Sequence, residues 1–115
     1  MINALLDNLR LEMRRGSLIL AVLAELRSEQ YGYTLRKKLV EHGLAVDEGT
    51  LYPLLRRLEG QGLLISHWRE EDKRNKRFYS LSEDGERVLR HLVSEWQEID
   101  SSLKRIMGDQ RHGTC

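Results

Sequence analysis

Two hydroxyl groups and two guanidinium groups share one face of a predicted helix in the stretch GTLYPLLRRLEGQGLL, Gly49 to Leu64. The leucines of this stretch recur at helical spacing, which turns Thr50, Tyr52, Arg56 and Arg57 towards the other face. Hydroxyls near a helix N-terminus, where free N–H groups favour anions, suit phosphate groups, and arginines one turn later add charge. The sequence therefore predicts a nucleic-acid contact on this face.

A second group of cations lies in a predicted β-hairpin. The runs LLISHWR and RFYSL have the composition of two short strands, and EEDKRNK separates them. The four cations expected at the tip or on the returning strand are Lys73, Arg74, Lys76 and Arg77. They suit DNA phosphates or a minor groove. Glu70, Glu71 and Asp72 also fit a hairpin tip that is charged only for solubility.

Other kinds of site find no support in the sequence. It has no P-loop, no nucleophile elbow and no HExxH motif, and its histidines are not spaced as metal ligands. The only cysteine, Cys115, is the last residue, so it forms no intrachain disulfide. We expect neither enzyme activity nor a metal or cofactor. We also expect a soluble cytoplasmic protein, because no apolar run approaches the roughly 20 residues of a membrane helix.

The net charge of +1 is informative only when it is divided along the chain. Residues 32–82 contain 10 Lys and Arg against 7 Asp and Glu, whereas residues 83–107 contain 4 against 6. The basic surplus therefore lies in the middle of the chain, around the predicted contacts. A surplus this small also fits ordinary solvated faces.

Helical periodicity extends over much of the chain. Residues 2–13 predict an amphipathic helix, and SLILAVLAEL predicts a buried central helix with Ser17 as its N-cap. The stretch YGYTLRKKLVEHG predicts a short helix that ends at Gly43. Its inward residues are expected to be Leu35, Leu39 and Val40.

The spacing of the next two helices indicates a helix-turn-helix. Only four residues, 43–46, separate the short helix from Asp47, which is the predicted N-cap of the helix that carries Arg56. Pro53 leaves open whether that helix begins at Glu48 or later. With the following hairpin, the pattern predicts a mainly α fold, in which residues 1–82 form a winged-helix DNA-binding domain with an N-terminal helix.

The last segment predicts a long dimerisation helix over residues 83–107, with Ser82 as N-cap, and a disordered tail over residues 108–115. Its apolar residues recur at alternating steps of three and four: Leu89, Leu92, Trp96, Ile99, Leu103 and Ile106. One helix cannot bury such a face alone. We therefore expect a homodimer, whose partner surface is the same helix of a second copy or its N-terminal helix, with Leu5 and Leu9.

Four stretches resemble the PadR family of bacterial transcriptional regulators. They are RRGSLILAVLAEL, YGYTL, GTLYPLLRRLEGQGLL and RFYSLSEDG, and together they cover about residues 14–85. The resemblance implies a winged-helix homodimer that represses transcription by binding an operator, and the single terminal helix resembles the family's small branch. We include Tyr33 of YGYTL among the DNA contacts. The stretch EDKRNKR lacks the glycine common in the family's wing, so the shape of this turn stays open.

Trp96 and Asp100 resemble a pair found in multidrug-binding members of that branch, in which paired tryptophans flank a pore at the dimer centre. A planar cationic effector would stack on the indole while the carboxylate at i+4 balances its charge. Trp96 is equally explained as a core residue of the dimer. The function expected is a repressor of an inverted-repeat operator that a planar aromatic effector releases. The alternative is a winged-helix module that binds protein instead of DNA.

Overall fold

The computed structural model describes the backbone of residues 2–113 and the side chains of residues 2–108. In chain order its elements are α1 (Ile2–Glu25), β1 (Gln30–Tyr31), α2 (Gly32–Glu41), α3 (Glu48–Gly60), β2 (Leu64–Glu71), β3 (Arg74–Leu81) and α4 (Glu83–Gly113). This confirms the predicted fold class, mainly helical with a hairpin. Within the described residues, no helix has the length and apolar character that a membrane crossing requires.

One cluster of leucines joins the helices to the sheet. Its most deeply buried members are Leu23, Leu26, Leu35, Leu39, Leu51, Leu55 and Leu58. Leu64 and Tyr79 extend the cluster onto the sheet, and Leu89 extends it onto α4. Each buried leucine contributes roughly 1.5–3 kcal/mol. The spacing of the leucines therefore determines which faces of α2 and α3 point outward.

Helix α1 is continuous, so the prediction of Ser17 as an N-cap is wrong. Ser17 lies in mid-helix, and its hydroxyl donates to the carbonyl oxygen of Met13 one turn earlier, at 3.2 Å. That bond satisfies the hydroxyl without a helix end. Gly16 lies in the same helix with open space around its Cα. Continuity leaves the N-terminal half of α1 projecting beyond the leucine core.

The turn after α2 is closed by Gly43, as predicted. Gly43 has φ +89°, and the N–H groups of Gly43 and Leu44 donate to the carbonyl oxygens of Val40 and Leu39. This is a Schellman arrangement, which needs a residue in the left-handed region at Gly43. The side chain of Val40 is 47% exposed, so its predicted inward position is wrong. Leu39 takes the inward position on that turn instead.

The sheet contains one strand more than predicted and longer strands. β2 and β3 pair from Leu64 with Leu81 up to Glu71 with Arg74, and β1 adds two residues to the other edge of β3. The predicted seven-residue loop is wrong, because a two-residue turn of Asp72 and Lys73 joins the strands. Both residues have positive φ, 53° and 63°. Positive φ at both positions matches the right-handed twist of the paired strands.

Replacing Lys73 by glycine should stabilise the protein. The left-handed region costs a lysine about 1–2 kcal/mol, part of which glycine loses again through its freer unfolded chain. We expect the free energy of unfolding to rise by roughly 0.5–1 kcal/mol, measured by urea denaturation. Lys73→Ala is the control, since it removes the same charge but keeps the Cβ. Equal stabilisation by both variants would assign the effect to charge.

Helix α4 begins at the predicted cap and extends past the predicted end. Ser82 Oγ accepts from the N–H of Gly85 at 2.9 Å and donates to the carbonyl oxygen of Gly62 at 2.6 Å. The backbone remains helical to Gly113, so a disordered tail from residue 108 is wrong for residues 108–113. The rest of the predicted tail, residues 114 and 115, lies outside the described residues.

Candidate nucleic-acid interface

The outward face of α3 carries three of the predicted contacts. Leu51, Leu55 and Leu58 bury the inner face. Thr50, Arg56 and Arg57 are exposed, and neither arginine forms an ion pair with a described residue. Two unpaired guanidinium groups on an anchored helix are free to bind phosphates or base edges.

Helix α3 begins at Glu48, so Pro53 lies inside it. The start is held by Asp47, whose Oδ1 accepts from the N–H of Thr50 at 2.8 Å. Hydrogen bonding from Thr50 lowers the pKa of the Asp47 carboxyl below its ordinary value of 3.8. Because folding lowers this pKa, the cap stabilises the helix above pH 3.8 and is lost as pH falls through the folded-state pKa.

Tyr52 packs against the start of α2, so it is less free to contact DNA than the sequence predicted. Its ring packs on the backbone of Gly32, where a Cβ would lie only 2.6 Å from Cε1 of Tyr52. Burial raises the pKa of the Tyr52 hydroxyl, and the nearby Glu48 carboxylate raises it further. The hydroxyl therefore stays protonated at neutral pH. Tyr33, the other predicted tyrosine contact, is exposed and stacks on Tyr31 with ring centroids 6.2 Å apart.

The four predicted hairpin cations fall into two groups. Lys73 in the turn and Arg74 at the start of β3 are exposed and form no ion pair with a described side chain. Lys76 lies further along β3, and its side chain is only 17% exposed. Its ammonium group is 3.7 Å from Glu71 Oε1, 3.8 Å from Asp72 Oδ2 and 4.4 Å from the centre of the Tyr31 ring. Lys73 and Arg74 are therefore the cations available at the tip.

Arg77 joins the hairpin to α3. Its Nη2 donates to Glu59 Oε1 at 2.9 Å, and its Nε donates to Ser66 Oγ at 2.9 Å. Ser66 in turn donates to the other oxygen of Glu59. Arg77 lies on the returning strand, one of the two places predicted for it, and the longer strands put it at the fourth pair from the turn. Glu59 and Ser66 were missed, since only pairing of β2 with β3 brings them to Arg77.

A cleft opens between α3, the start of α2 and the sheet, and we call it the tyrosine cleft. Its volume is about 360 Å³. Its aromatic walls are Tyr31, Tyr33, Tyr52, Trp68 and Tyr79, and its cations are Arg56, Lys76 and Arg77, with Gly32 at the lip. The lining includes no acidic residue. The cleft could not be predicted from the sequence, because residues of five different elements line it.

The predicted dimer residues divide at the middle of α4. Leu89 is 6% exposed and belongs to the chain's own core, so its assignment to the dimer face is wrong; Leu92 packs against the same core. Beyond them the apolar side chains are uncovered, and so are those of the first half of α1. The exposed residues include Leu5, Leu6, Leu9, Met13, Trp96, Ile99, Leu103 and Ile106.

Trp96 and Asp100 have different surroundings. The indole of Trp96 is 50% exposed and lines a groove of about 300 Å³ between α1 and α4, together with Met13, Leu92 and Ile99. The carboxylate of Asp100 is 3.0 Å from the ammonium group of Lys104. Its charge is therefore partly balanced within the chain. Among the side chains of residues 2–108, no group of three His, Cys, Asp or Glu residues could hold a metal ion.

Comparisons with known proteins agree with this architecture. Residues 19–91 match the family described as the transcriptional regulator PadR-like family. The chain is 33% identical over 102 residues to the transcriptional regulator Rv3488 of Mycobacterium tuberculosis, covering 88% of this chain and 92% of that protein.

Two crystal structures extend the similarity to the whole fold. A PadR family transcriptional regulator from Eggerthella lenta has a TM-score of 0.86 and 38% identity, covering 92% of this chain and 95% of that one. A PadR-like transcription factor from Bacteroides fragilis has a TM-score of 0.74 and 35% identity, covering 87% and 99%. The chain belongs to the PadR-like family of transcriptional regulators, which are not enzymes.

Proposed function

We propose that the protein is a homodimeric repressor that binds an inverted-repeat operator. In this proposal α3 enters the major groove, and the hairpin tip contacts the phosphate backbone. A two-fold dimer presents one α3 per protomer, so its half-sites should lie about 34 Å apart or a multiple of that distance. Bound at a promoter, such a dimer would block transcription.

The observation that carries this proposal is the outward face of α3. Arg56 and Arg57 are exposed and without an ion pair in the described part of the chain, while three buried leucines hold the opposite face. The helix holds the backbone of both arginines in place, and the planar guanidinium matches the two acceptors of guanine, which favours sequence-specific hydrogen bonds to that base. Lys73 and Arg74 at the hairpin tip add positive charge, which attracts phosphates without selecting a sequence.

Footprinting and salt titration of single variants test whether α3 contacts the bases and the hairpin tip contacts the phosphates. Arg56→Ala should weaken operator binding by about 1–3 kcal/mol and relax the sequence preference. Arg74→Ala should weaken all duplexes alike and reduce the salt slope by about one. Arg74 is preferred to Lys76 for this test, because Glu71 and Asp72 lie close to Lys76.

The matched control is Arg90→Ala, which removes an exposed arginine from α4, far from α3 in the chain. It should leave both affinity and preference unchanged. Equal behaviour of the Arg56 and Arg74 variants would contradict the separate roles.

The alternative function, a module that binds protein, predicts that partner binding depends little on salt. Binding through several phosphates weakens steeply as salt is added.

The dimer part of the proposal is supported by the uncovered apolar side chains of α1 and α4. Helix α4 has 31 residues, a length of about 46 Å, and only its first turns pack on the leucine core. Contiguous apolar surface of this kind is rare on monomeric proteins. A second copy covers it at the least cost, because two-fold symmetry places the same surface on both subunits.

We also propose an effector site, in which a planar cation binds beside Trp96 near the dimer axis and Asp100 supplies the counter-charge. We expect planar cations to quench tryptophan fluorescence in the wild type but not in Trp96→Ala, which retains Trp68. Lys104→Ala should tighten binding several-fold, because it frees the Asp100 carboxylate from its pair. Undiminished quenching in Trp96→Ala would make Trp96 a packing residue only.

A further inference from the structure

The tyrosine cleft contains a buried donor that the fold itself does not use. Tyr79 is 7% exposed, and its hydroxyl forms no hydrogen bond with a described residue. The hydroxyl is nevertheless reachable, because it is not among the fully enclosed polar atoms that lack a partner. Burial raises the pKa of Tyr79, so the group is a protonated donor at neutral pH. An accessible hydroxyl of this kind bonds water in the free protein, and a ligand can take the place of that water.

More donors converge on the same cleft. Tyr52 Oη lies 3.3 Å from the position of a Cβ on Gly32, at the first residue of α2, and it has no hydrogen-bond partner among the described residues. Helix α2 has ten residues, and Tyr31 at its N-cap position makes no side-chain bond to the first-turn N–H groups. A helix start with free N–H groups favours an anion, and phosphate above all.

The unpaired positive charge of the cleft comes from Arg56. Arg77 is neutralised by Glu59, and Lys76 lies 3.7 and 3.8 Å from the carboxylates of Glu71 and Asp72. Arg56 forms no ion pair with a described residue, so it is the cation that can turn to an incoming anion. Arg56 offers two parallel N–H groups that match the oxygens of a phosphate.

The walls of the cleft are suited to a flat ring. Tyr31 and Tyr33 are stacked with 21° between their planes, and the exposed indole of Trp68 also lines the cleft. Stacking of a base on such side chains contributes about 1–3 kcal/mol per base. The volume of about 360 Å³ lies at the small end of ligand pockets. A duplex carries its phosphates on a stiff backbone, so it reaches the deep Tyr79 hydroxyl less readily than a free ligand does.

We propose that the tyrosine cleft binds a free mononucleotide-sized ligand, a phosphate monoester on a planar aromatic ring. The phosphate would meet Arg56, the Tyr52 and Tyr79 hydroxyls and the start of α2, and the ring would stack on the exposed aromatic side chains. Because Arg56 is also a proposed DNA contact, the bound ligand would compete with DNA. The competition rests on the proposed function, whereas the binding itself does not.

Trp68 fluorescence reports binding in the absence of DNA, in a Trp96→Phe background that leaves Trp68 as the only tryptophan. We expect 2′-deoxyadenosine 5′-monophosphate to quench it saturably, with a Kd below roughly 1 mM. The uncharged nucleoside should bind at least tenfold more weakly. Tyr79→Phe should weaken binding about tenfold or more, because it removes a hydrogen bond to a charged group. No saturable quenching, or equal binding of nucleoside and nucleotide, would overturn the proposal.

The matched pair Arg56→Gln and Arg57→Gln locates the site, since the two arginines are neighbours on α3 and only Arg56 lines the cleft. Arg56→Gln should weaken nucleotide binding about tenfold, whereas Arg57→Gln should leave it unchanged. Equal losses would refute the assignment to the cleft. Circular dichroism melting of each variant excludes unfolding as the cause.

A competition titration with labelled duplex tests regulation. Added nucleotide should raise the apparent Kd for DNA linearly with the concentration of free nucleotide, as competitive binding requires. If nucleotide binds and the affinity for DNA does not change, the proposal that nucleotide and DNA compete is wrong. If the protein binds no duplex at all, the proposed function fails while the fluorescence titration still decides the cleft. If Tyr79→Phe weakens DNA binding and no mononucleotide binds, the cleft serves a backbone phosphate and the proposal is overturned.

Discussion

Gly85→Ala should strongly destabilise the protein, lowering the free energy of unfolding by roughly 3 kcal/mol and Tm by more than about 10 °C. A Cβ at this position would lie 2.1 Å from the carbonyl oxygen of Leu63 and 2.7 Å from Cδ1 of Leu81. The Leu63 carbonyl cannot move aside easily, because it also accepts the N–H of Ser82 at 3.0 Å. The clash therefore separates the start of α4 from the base of the hairpin.

Gly60→Ala is the matched control for this prediction. Gly60 is the last residue of α3, and a Cβ there would have no atom within 4 Å. Since alanine favours a helix over glycine, this variant should be unchanged or more stable by up to about 1 kcal/mol. Thermal melting by circular dichroism measures both variants. A Gly85→Ala protein that melts with the wild type would show that the backbone at α4 yields without cost.

Leu103→Asp should convert the proposed homodimer to a folded monomer. Leu103 is exposed on α4, distant from the leucine core, so the charge is tolerated in the monomer. In a dimer, an unpaired carboxylate in an apolar interface costs several kcal/mol. Sedimentation at micromolar concentration should give the 13.5 kDa of one chain for the variant and twice that for the wild type.

Ser101→Asp serves as the control, because it introduces the same charge on an exposed position of α4 outside the apolar row. It should sediment as the wild type does. Leu92 is unsuitable for this experiment, since it packs against the core and a charge there would destabilise the monomer itself. A wild-type chain that sediments as a monomer, or a Leu103→Asp chain that stays dimeric, would contradict the proposed interface.

Sequence determined the features that depend on neighbouring residues. The leucines of α3 recur at helical spacing, so their inward face followed from the pattern alone. Asp47 and Ser82 cap their helices as predicted, and Gly43 and Gly62 have the positive φ expected after a helix end. Each of these interactions joins residues within a few positions of one another, and local chemistry is sufficient to specify it.

Tertiary structure alone decided which of the predicted site residues are free. Arg77 and Glu59 are 18 positions apart, so their pairing depends on how the hairpin lies against α3. Leu89 and Ile99 look alike in the apolar row of α4, yet the first is buried and the second exposed, because the leucine core covers only the first turns. The tyrosine cleft forms from five elements. The Arg77 pair, the burial of Leu89 and the cleft all depend on packing between residues distant in the chain, and the periodicity of the sequence carries no information about that packing.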